Sequence, residues 1–553
     1  MTDFMGIVAR ARIRTSDKNW AEAAELWEEV TAANPVNGDY WARLGEARFG
    51  ARDYAGAREA WEKVLRLGLR ETGLAEDDVT PLMPGEVAWR IACCDAAAGD
   101  REAAVAGLQV ALDRGMRDPA RVKSQEHWQA LLDDERIRGM AGVIDSDSMT
   151  RDEGWRYDLA FLAREIKRVA YAPFALQPEA EFDRAVAELD AAIPVLTDSR
   201  IIVGMMKLVR YLDDGHAFVQ WPKDDKELSR VFPVDMFLFS EGLYVIGAGS
   251  GCEHLLGAKV EKIGALTVDE AMAALDPIMT RDNEHWLTFM FPALVRCPAL
   301  LRALGIDDAL TVSLPDGTVT EVRLETSSDK VQLDRYPPGW VALTDTVISG
   351  DGVTVPRPLH LRNRELPFWF EYLPRDDLVY FQFNAVRDHP AESFAAFCDR
   401  LFGFIEGRGV GRLVIDLRWN PGGNTLLSQR LLHHLIASKL LSRRGALFVI
   451  IGRLTASAAQ NTATAIERET CAIFVGEPTA SRPNFIGERI DFELPYSKVQ
   501  ANVADLLWQT SWPDDHRTWT APDIYAPPTF EAYRRNEDPA LDAILSIREH
   551  VPG

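Results

Sequence analysis

Leu447-Phe-Val-Ile-Ile451, followed by Gly452-Arg-Leu-Thr-Ala-Ser457-Ala-Ala-Gln460-Asn461, decides how the C-terminal half of this chain is read. The first run is apolar without interruption, which predicts a strand covered on both faces. The second is built of small residues and leads into a helix, so Ser457 stands uncrowded at the helix N-terminus. A serine in that place is ordinarily an N-cap, its hydroxyl spent on a backbone N–H. Position alone therefore does not make it a nucleophile. No G-x-S-x-G surrounds it, which excludes the usual α/β-hydrolase elbow.

Working outward, Leu378–Phe383 and Leu413–Leu417 are two further apolar runs of buried-strand type. The second enters Arg418-Trp419-Asn420-Pro421-Gly422-Gly423-Asn424 and then a helix from Leu426. Two glycines between a strand and a helix allow a tight turn that leaves backbone N–H groups unpaired near a positive helix end. Such donors can hold a developing oxyanion, although by itself the turn is merely a turn. Downstream, Ala472–Val475 predicts another strand running into Gly476-Glu477-Pro478-Thr479, and the half closes near Asp514-Asp515-His516 and Ala521-Pro-Asp-Ile524. Upstream, Trp155, Leu159, Leu162, Ile166 and Val169 recur at helical spacing. The helical stretch ends in Asp213-Asp214-Gly215-His216, a helix-to-strand corner suited to presenting a side chain.

Between these halves, β-like runs at Leu243–Ile246, Lys259–Ile263 and Leu310–Leu314 alternate with turns, with a helix at Val268–Leu275. The block Gly257–Gly264 plus that helix resembles part of a PDZ-type module, from which the helix-rich insertion Asp282–Leu304 departs. At the N-terminus, Ala23/Trp27 and Ala57/Trp61 repeat with a common offset of 34 (57 − 23 and 61 − 27). With Trp41-x-x-Leu44-Gly45 before the second pair, this resembles the tetratricopeptide repeat. Its alanine lets two helices approach while its aromatic fills the groove a turn on. A looser third copy runs through Trp89, Asp100, Ala104 and Leu108, after an insertion around Leu74–Gly85. Stacked, the copies form a short solenoid offering a surface to a partner protein; plain amphipathic helices of a bundle would read similarly.

Composition sets limits. The 553 residues suffice for two to four domains, and 47% hydrophobic with 26% charged residues is globular. A formal charge of −23 disfavours nucleic acid and anionic membranes as partners. No stretch approaches the roughly 18–20 apolar residues of a membrane span, and the first twenty residues lack a signal-peptide core. Six cysteines without a C-x-x-C pair suit a reducing compartment, so the expected location is cytoplasmic. The neighbouring His433 and His434 do not share a helix face and make no metal site, and Glu477 and Glu488 read as structural or surface carboxylates rather than an acid/base pair. Neither metal nor organic cofactor is expected.

The ordered set DDGH, DLRWNPGG, TASAAQN, VGEPT and PDI resembles the tail-specific (C-terminal-processing) serine protease family, including its tricorn-like members, over about residues 151–530. The resemblance implies a multidomain α plus α/β chain: helical repeats over 1–145, a helical linker region over 150–225, a PDZ-like β-rich module over 226–330, and a ClpP/crotonase-like ββα catalytic core over 335–553. It implies that Ser457 is the acylated nucleophile, with an oxyanion hole from Gly422 and Ala458 and with Gly423 as neighbouring candidate. Ser/Lys members carry a lysine where this chain has Arg482, and arginine keeps its proton, so it cannot act as base. Gln460 likewise replaces a glutamate of that type. The tricorn-type assignment carries the base to His216, here preceded by Gly215 rather than serine, with Asp515, or alternatively Asp514, orienting the ring. The expected activity is peptide-bond hydrolysis of a peptide or protein substrate through an acyl-enzyme. A catalytically degenerate binding scaffold and an esterase are the alternatives, and a histidine merely capping a helix end is the alternative for His216.

Overall fold

A computed structural model of the chain describes residues 3–69, 84–212, 214–222, 225–329, 331–332 and 335–547. Asp213, and the expected insertion up to residue 83, lie outside the described residues. The chain forms two compact units, Met1–Ala170 with Ile490–Lys498, and Tyr171–Arg489 with Val499–Gly553. The expected helical stretch 150–225 thus gives its first helix, Arg151–Val169, to the first unit and its remainder to the second.

In the first unit, short turns separate the helices Phe4–Ser16, Trp20–Ala33, Gly38–Gly50 and Tyr54–Leu67, and Pro84–Ala97 is followed by Arg101–Asp113. Aspartates fix several starts: Asp3, Asp53 and Asp100 accept the N–H groups of Gly6, Gly56 and Ala103. The repeat positions are the packed ones. Ala23, Ala57 and Ala104 are fully buried, and Trp27 and Trp61 nearly so. Gly45 is required by its neighbour, because a Cβ there would stand 2.8 Å from the Trp61 indole. In the third copy Leu108 is fully buried like Ala104, and Trp89 stacks on Trp128 at 5.2 Å.

The second unit holds an antiparallel sheet with the strand order Val234–Phe239, Gly242–Ala248, Lys259–Ile263, Leu310–Ser313, Val319–Val322. The helix Val268–Leu275 follows, its start fixed by a reciprocal Thr267/Glu270 capping box. The insertion forms the helices Glu284–Val295 and Pro298–Ala303.

A six-stranded sheet organises the C-terminal part, in the order Ile524–Tyr525, Ile473–Gly476, Leu447–Ile451, Arg412–Asp416, Leu378–Phe383, Phe368–Leu373. Every neighbouring pair is parallel except the last. Parallel pairing needs crossovers, which the helices Phe394–Arg408, Ser428–Ala437 and Ala458–Glu469 supply. Leu378–Phe383 and Leu447–Ile451 are buried at every position; the second is wholly apolar, and in the first Tyr380 donates to Asp416 at 2.6 Å and Gln382 to Asn384 at 2.8 Å. Phe381, Phe383, Phe394 and Phe397 interlock at the centre of the largest apolar cluster there. The carboxyl ends of the central strands then deliver both the Pro-Gly-Gly turn and the serine turn, the edge where parallel sheets bind ligands.

Among the described residues no helix is long and apolar enough to cross a membrane, and no cluster of His, Cys, Asp or Glu could hold a metal. All six cysteines are free; five are buried, while Cys471 is exposed. His434 bonds Asp399 at 2.7 Å and stacks on Phe402.

Trp61→Ala is expected to destabilise the first unit by about 3–5 kcal/mol, the range for emptying a large buried aromatic site. Urea unfolding followed by far-UV circular dichroism measures it. An unchanged transition would contradict the packing role given to the indole.

Candidate active site

Ser457 is the N-cap residue of the helix Ala458–Glu469, yet its side chain makes no capping hydrogen bond. Its backbone lies at φ 52°, ψ −126°, a region that residues with a Cβ rarely occupy. Holding a serine there costs about 1–3 kcal/mol, which the surrounding bonds must offset. Three bonds fix the turn. The Ser457 N–H donates to Ser481 Oγ at 3.3 Å, the Ala456 N–H to the Asn420 carbonyl at 3.2 Å, and the Asn461 N–H to the Ser457 carbonyl at 3.0 Å. The ordinary role of a helix-start serine is therefore absent, and its hydroxyl is held out by a strained strand-to-helix corner.

Asn420 joins this corner to the glycine turn. It is fully buried, its Nδ2 donates to the Phe383 carbonyl at 3.0 Å, and its Oδ1 accepts the Gly422 N–H at 3.0 Å. Gly422 has φ +116°, and a Cβ there would lie 2.7 Å from Ser457 Cβ and 2.9 Å from the Ala458 nitrogen. Only glycine allows so close an approach. This contact redistributes the expected oxyanion donors. Gly422 touches the serine, but its own N–H is committed to Asn420. The N–H groups of Gly423 and Ala458 have no acceptor among the described residues, and Ala458 opens a helix whose positive end adds to its pull.

His216 is presented by an Asx turn. The buried Asp214 carboxylate accepts the His216 N–H at 2.6 Å and the Ala217 N–H at 2.7 Å, which turns the chain from helix into the strand Phe218–Val219. Its ring stacks on Phe485 at 5.3 Å, and Nδ1 is buried without a hydrogen-bond partner. Burial lowers its pKa from 6.5, leaving a neutral imidazole able to accept a proton at neutral pH.

The carboxylate whose charge His216 senses most is Asp282, which sequence reasoning did not single out. Asp282 Oδ1 accepts the Gly215 N–H at 3.0 Å and Oδ2 the Arg482 N–H at 3.4 Å, while its carbonyl accepts Arg482 Nε at 3.2 Å. Burial raises its pKa, opposed by His216, Arg482 and these N–H groups. Asn283 next to it donates to the carbonyls of Thr479 and Thr518, so the segment is tied to the Ser481-Arg482 loop that also holds the Ser457 amide. Arg482, at the position of the expected lysine, thus anchors Asp282.

Asp515, the expected orienting carboxylate, is engaged by its own neighbours. It accepts Ser511 Oγ at 2.6 Å and three bonds from Arg517, one from its backbone N–H and two from its guanidinium, which in turn grips Glu467. The Arg517 guanidinium holds its carboxyl far below the usual range, so Asp515 is occupied as an ion pair. The adjacent Asp514 is exposed. Gln460, nearby in the serine helix, donates to Thr464 and Thr520.

No family model matches the sequence, and no curated protein matches it. Among solved structures it is similar to mature CPAF complexed with lactacystin, with 14% identity, TM-score 0.48, covering 71% of this chain and 97% of that one. It is similar also to the photosystem II D1 C-terminal processing protease, at 13% identity, TM-score 0.34, over 71% of this chain and 99% of that one. A third is the tricorn protease, at 13% identity and TM-score 0.34, over 72% of this chain and 36% of that one.

If the serine corner stores strain, Ser457→Gly should exceed Ser457→Ala in stability by about 1–3 kcal/mol, because glycine alone relieves the positive φ. Paired denaturant titrations decide it. Equal midpoints would mean that the corner is unstrained.

Proposed function

We propose that this chain is a serine-type peptidase in which Ser457 is acylated. The observation that carries this reading is the strained, uncapped serine at the carboxyl end of a buried parallel strand. Ser457 Oγ attacks the scissile carbonyl carbon as its proton passes to His216, and the carbonyl oxygen becomes an oxyanion received by the Gly423 and Ala458 amides. Collapse breaks the C–N bond, His216 returns the proton to the leaving amine, and water repeats the sequence to release the acid. Arg482 takes no part as base, since a guanidinium stays protonated. Its contacts with Asp282 support a positioning role, with Asp282 as the negative charge facing the imidazolium that forms.

The antiparallel sheet is read here as a PDZ-type module and the six-stranded sheet as a ClpP/crotonase-type core. The N-terminal helices are read as tetratricopeptide-like repeats that recruit a protein partner, supported by the equivalent burial of Ala23/Trp27 and Ala57/Trp61. Five buried free thiols suit a reducing, cytoplasmic setting.

A fluorophosphonate probe should label the wild type at Ser457, seen by peptide mass spectrometry, and Ser457→Ala should abolish labelling. His216→Asn should slow labelling by about 10²–10⁴-fold, the usual worth of a general base. The wild-type rate should fall on acidification with a midpoint below 6.5, because burial depresses the pKa of a base that works when neutral. An unaltered rate in His216→Asn removes the histidine from the mechanism. Turnover of esters but not of peptides in parallel assays would make the protein an esterase, and no labelling at all a scaffold.

A further inference from the structure

A chamber of about 1060 Å³ opens within the second unit, against the carboxyl ends of three sheet strands. Trp419, Arg453 and Glu477, just past Arg412–Asp416, Leu447–Ile451 and Ile473–Gly476, line one side, and Phe237 and Phe289 line another. Neither Ser457 nor His216 lines it. Its size is that of a small-molecule site, at the upper end of the roughly 300–1,000 Å³ usual for these.

The chain as a whole is strongly acidic at −23, but this lining has six arginines against three carboxylates. Some of these charges cancel locally. Arg453 pairs with Glu477, Arg357 with Asp345 at 2.6 Å, and Arg418 with Asp416 and Asp538 outside the chamber. Asp235 accepts Tyr336 Oη at 2.9 Å, with Arg296 and Arg364 as its charged neighbours. Among the described residues, two of the lining cations hydrogen-bond only neutral acceptors. Arg335 donates to the Gln332 side chain at 2.9 Å. Arg296, only 7% exposed, offers two nitrogens to the one Phe232 carbonyl at 3.4 Å each, with its guanidinium 5.8 Å from the Trp340 ring. Among the described residues, Asp235 is the one carboxylate near both Arg296 and Arg364, so the Arg296 guanidinium keeps only long, shared, neutral hydrogen bonds, and a charged acceptor would bind it about twice as well. The surrounding walls are rings: Phe237, Phe289 and Trp340, with the Arg364 guanidinium 4.2 Å from the Trp419 ring.

We propose that this chamber is a binding site for a small monocarboxylate with an aromatic or branched apolar body. The carboxylate is received by Arg335 and Arg296, and the body lies against Phe237, Phe289 and Trp340. A phosphorylated ligand suits it less, since Asp235 and the aromatic walls oppose a second negative charge. Trp419 and Arg453 also belong to the segments that carry the glycine and serine turns, so the site adjoins the proposed active centre without requiring its chemistry.

The test is isothermal titration calorimetry of the full chain with 3-phenylpropionate, 1-naphthoate and 4-methylpentanoate, each against its neutral primary amide. At least one acid should bind, with its amide weaker by roughly tenfold or more. Arg335→Gln, at an exposed position, should weaken acid binding by roughly tenfold while the thermal midpoint stays unchanged, and Phe289→Ala should weaken acid and amide together. The proposal is overturned if none of the acids binds, if acid and amide bind alike, or if Arg335→Gln binds as the wild type does. Because heat is read rather than turnover, an inactive Ser457 leaves this result intact.

Discussion

The candidate site depends on one side chain, the carboxamide of Asn420. Its backbone carbonyl holds the residue before the serine, its Oδ1 holds the Gly422 amide, and its Nδ2 is anchored on the end of the neighbouring strand. Two turns leaving adjacent parallel strands are thereby locked at van der Waals contact, Gly422 against Ser457. The strain at Ser457 can persist because Asn420 lies at 0% exposure, where breaking one of its bonds leaves a polar group without water to replace it.

Seen this way, the sheet is the instrument that converts sequence into chemistry. Parallel order forces every crossover helix to begin at one edge, and the mostly apolar strands fix their depth in the core. The strand ends then have no freedom in where they deliver their loops. What varies is what the loops carry: an uncapped hydroxyl, two uncommitted amides, and, in Arg482, a cation that has become a structural tie to Asp282.

Much of this was legible in the chain, and the exceptions have physical reasons. The apolarity of Leu447–Ile451 and the largely apolar Leu378–Phe383 announced central strands, and the small residues around Ser457 announced a serine standing uncrowded at a helix start. The commitment of the Gly422 amide had a local signal, since an asparagine commonly bonds the backbone two residues on, as Asn420 does. The ion pairing of Asp515 had one too, in Arg517 two positions later. Asp282 had none. It comes from the helical insertion that departs from the surrounding β pattern, and only tertiary bonds to Gly215 and Arg482 bring it to His216. Long-range convergence of that kind leaves no periodicity to read.

The most direct test of the central claim is a crystal structure of the protein after reaction with a fluorophosphonate. The result expected is a phosphorus bonded to Ser457 Oγ, with the phosphonyl oxygen about 2.7–3.1 Å from the amides of both Gly423 and Ala458. An oxygen turned away from those amides, or an adduct on another residue, would contradict the assignment of the serine corner as an acyl-transfer site.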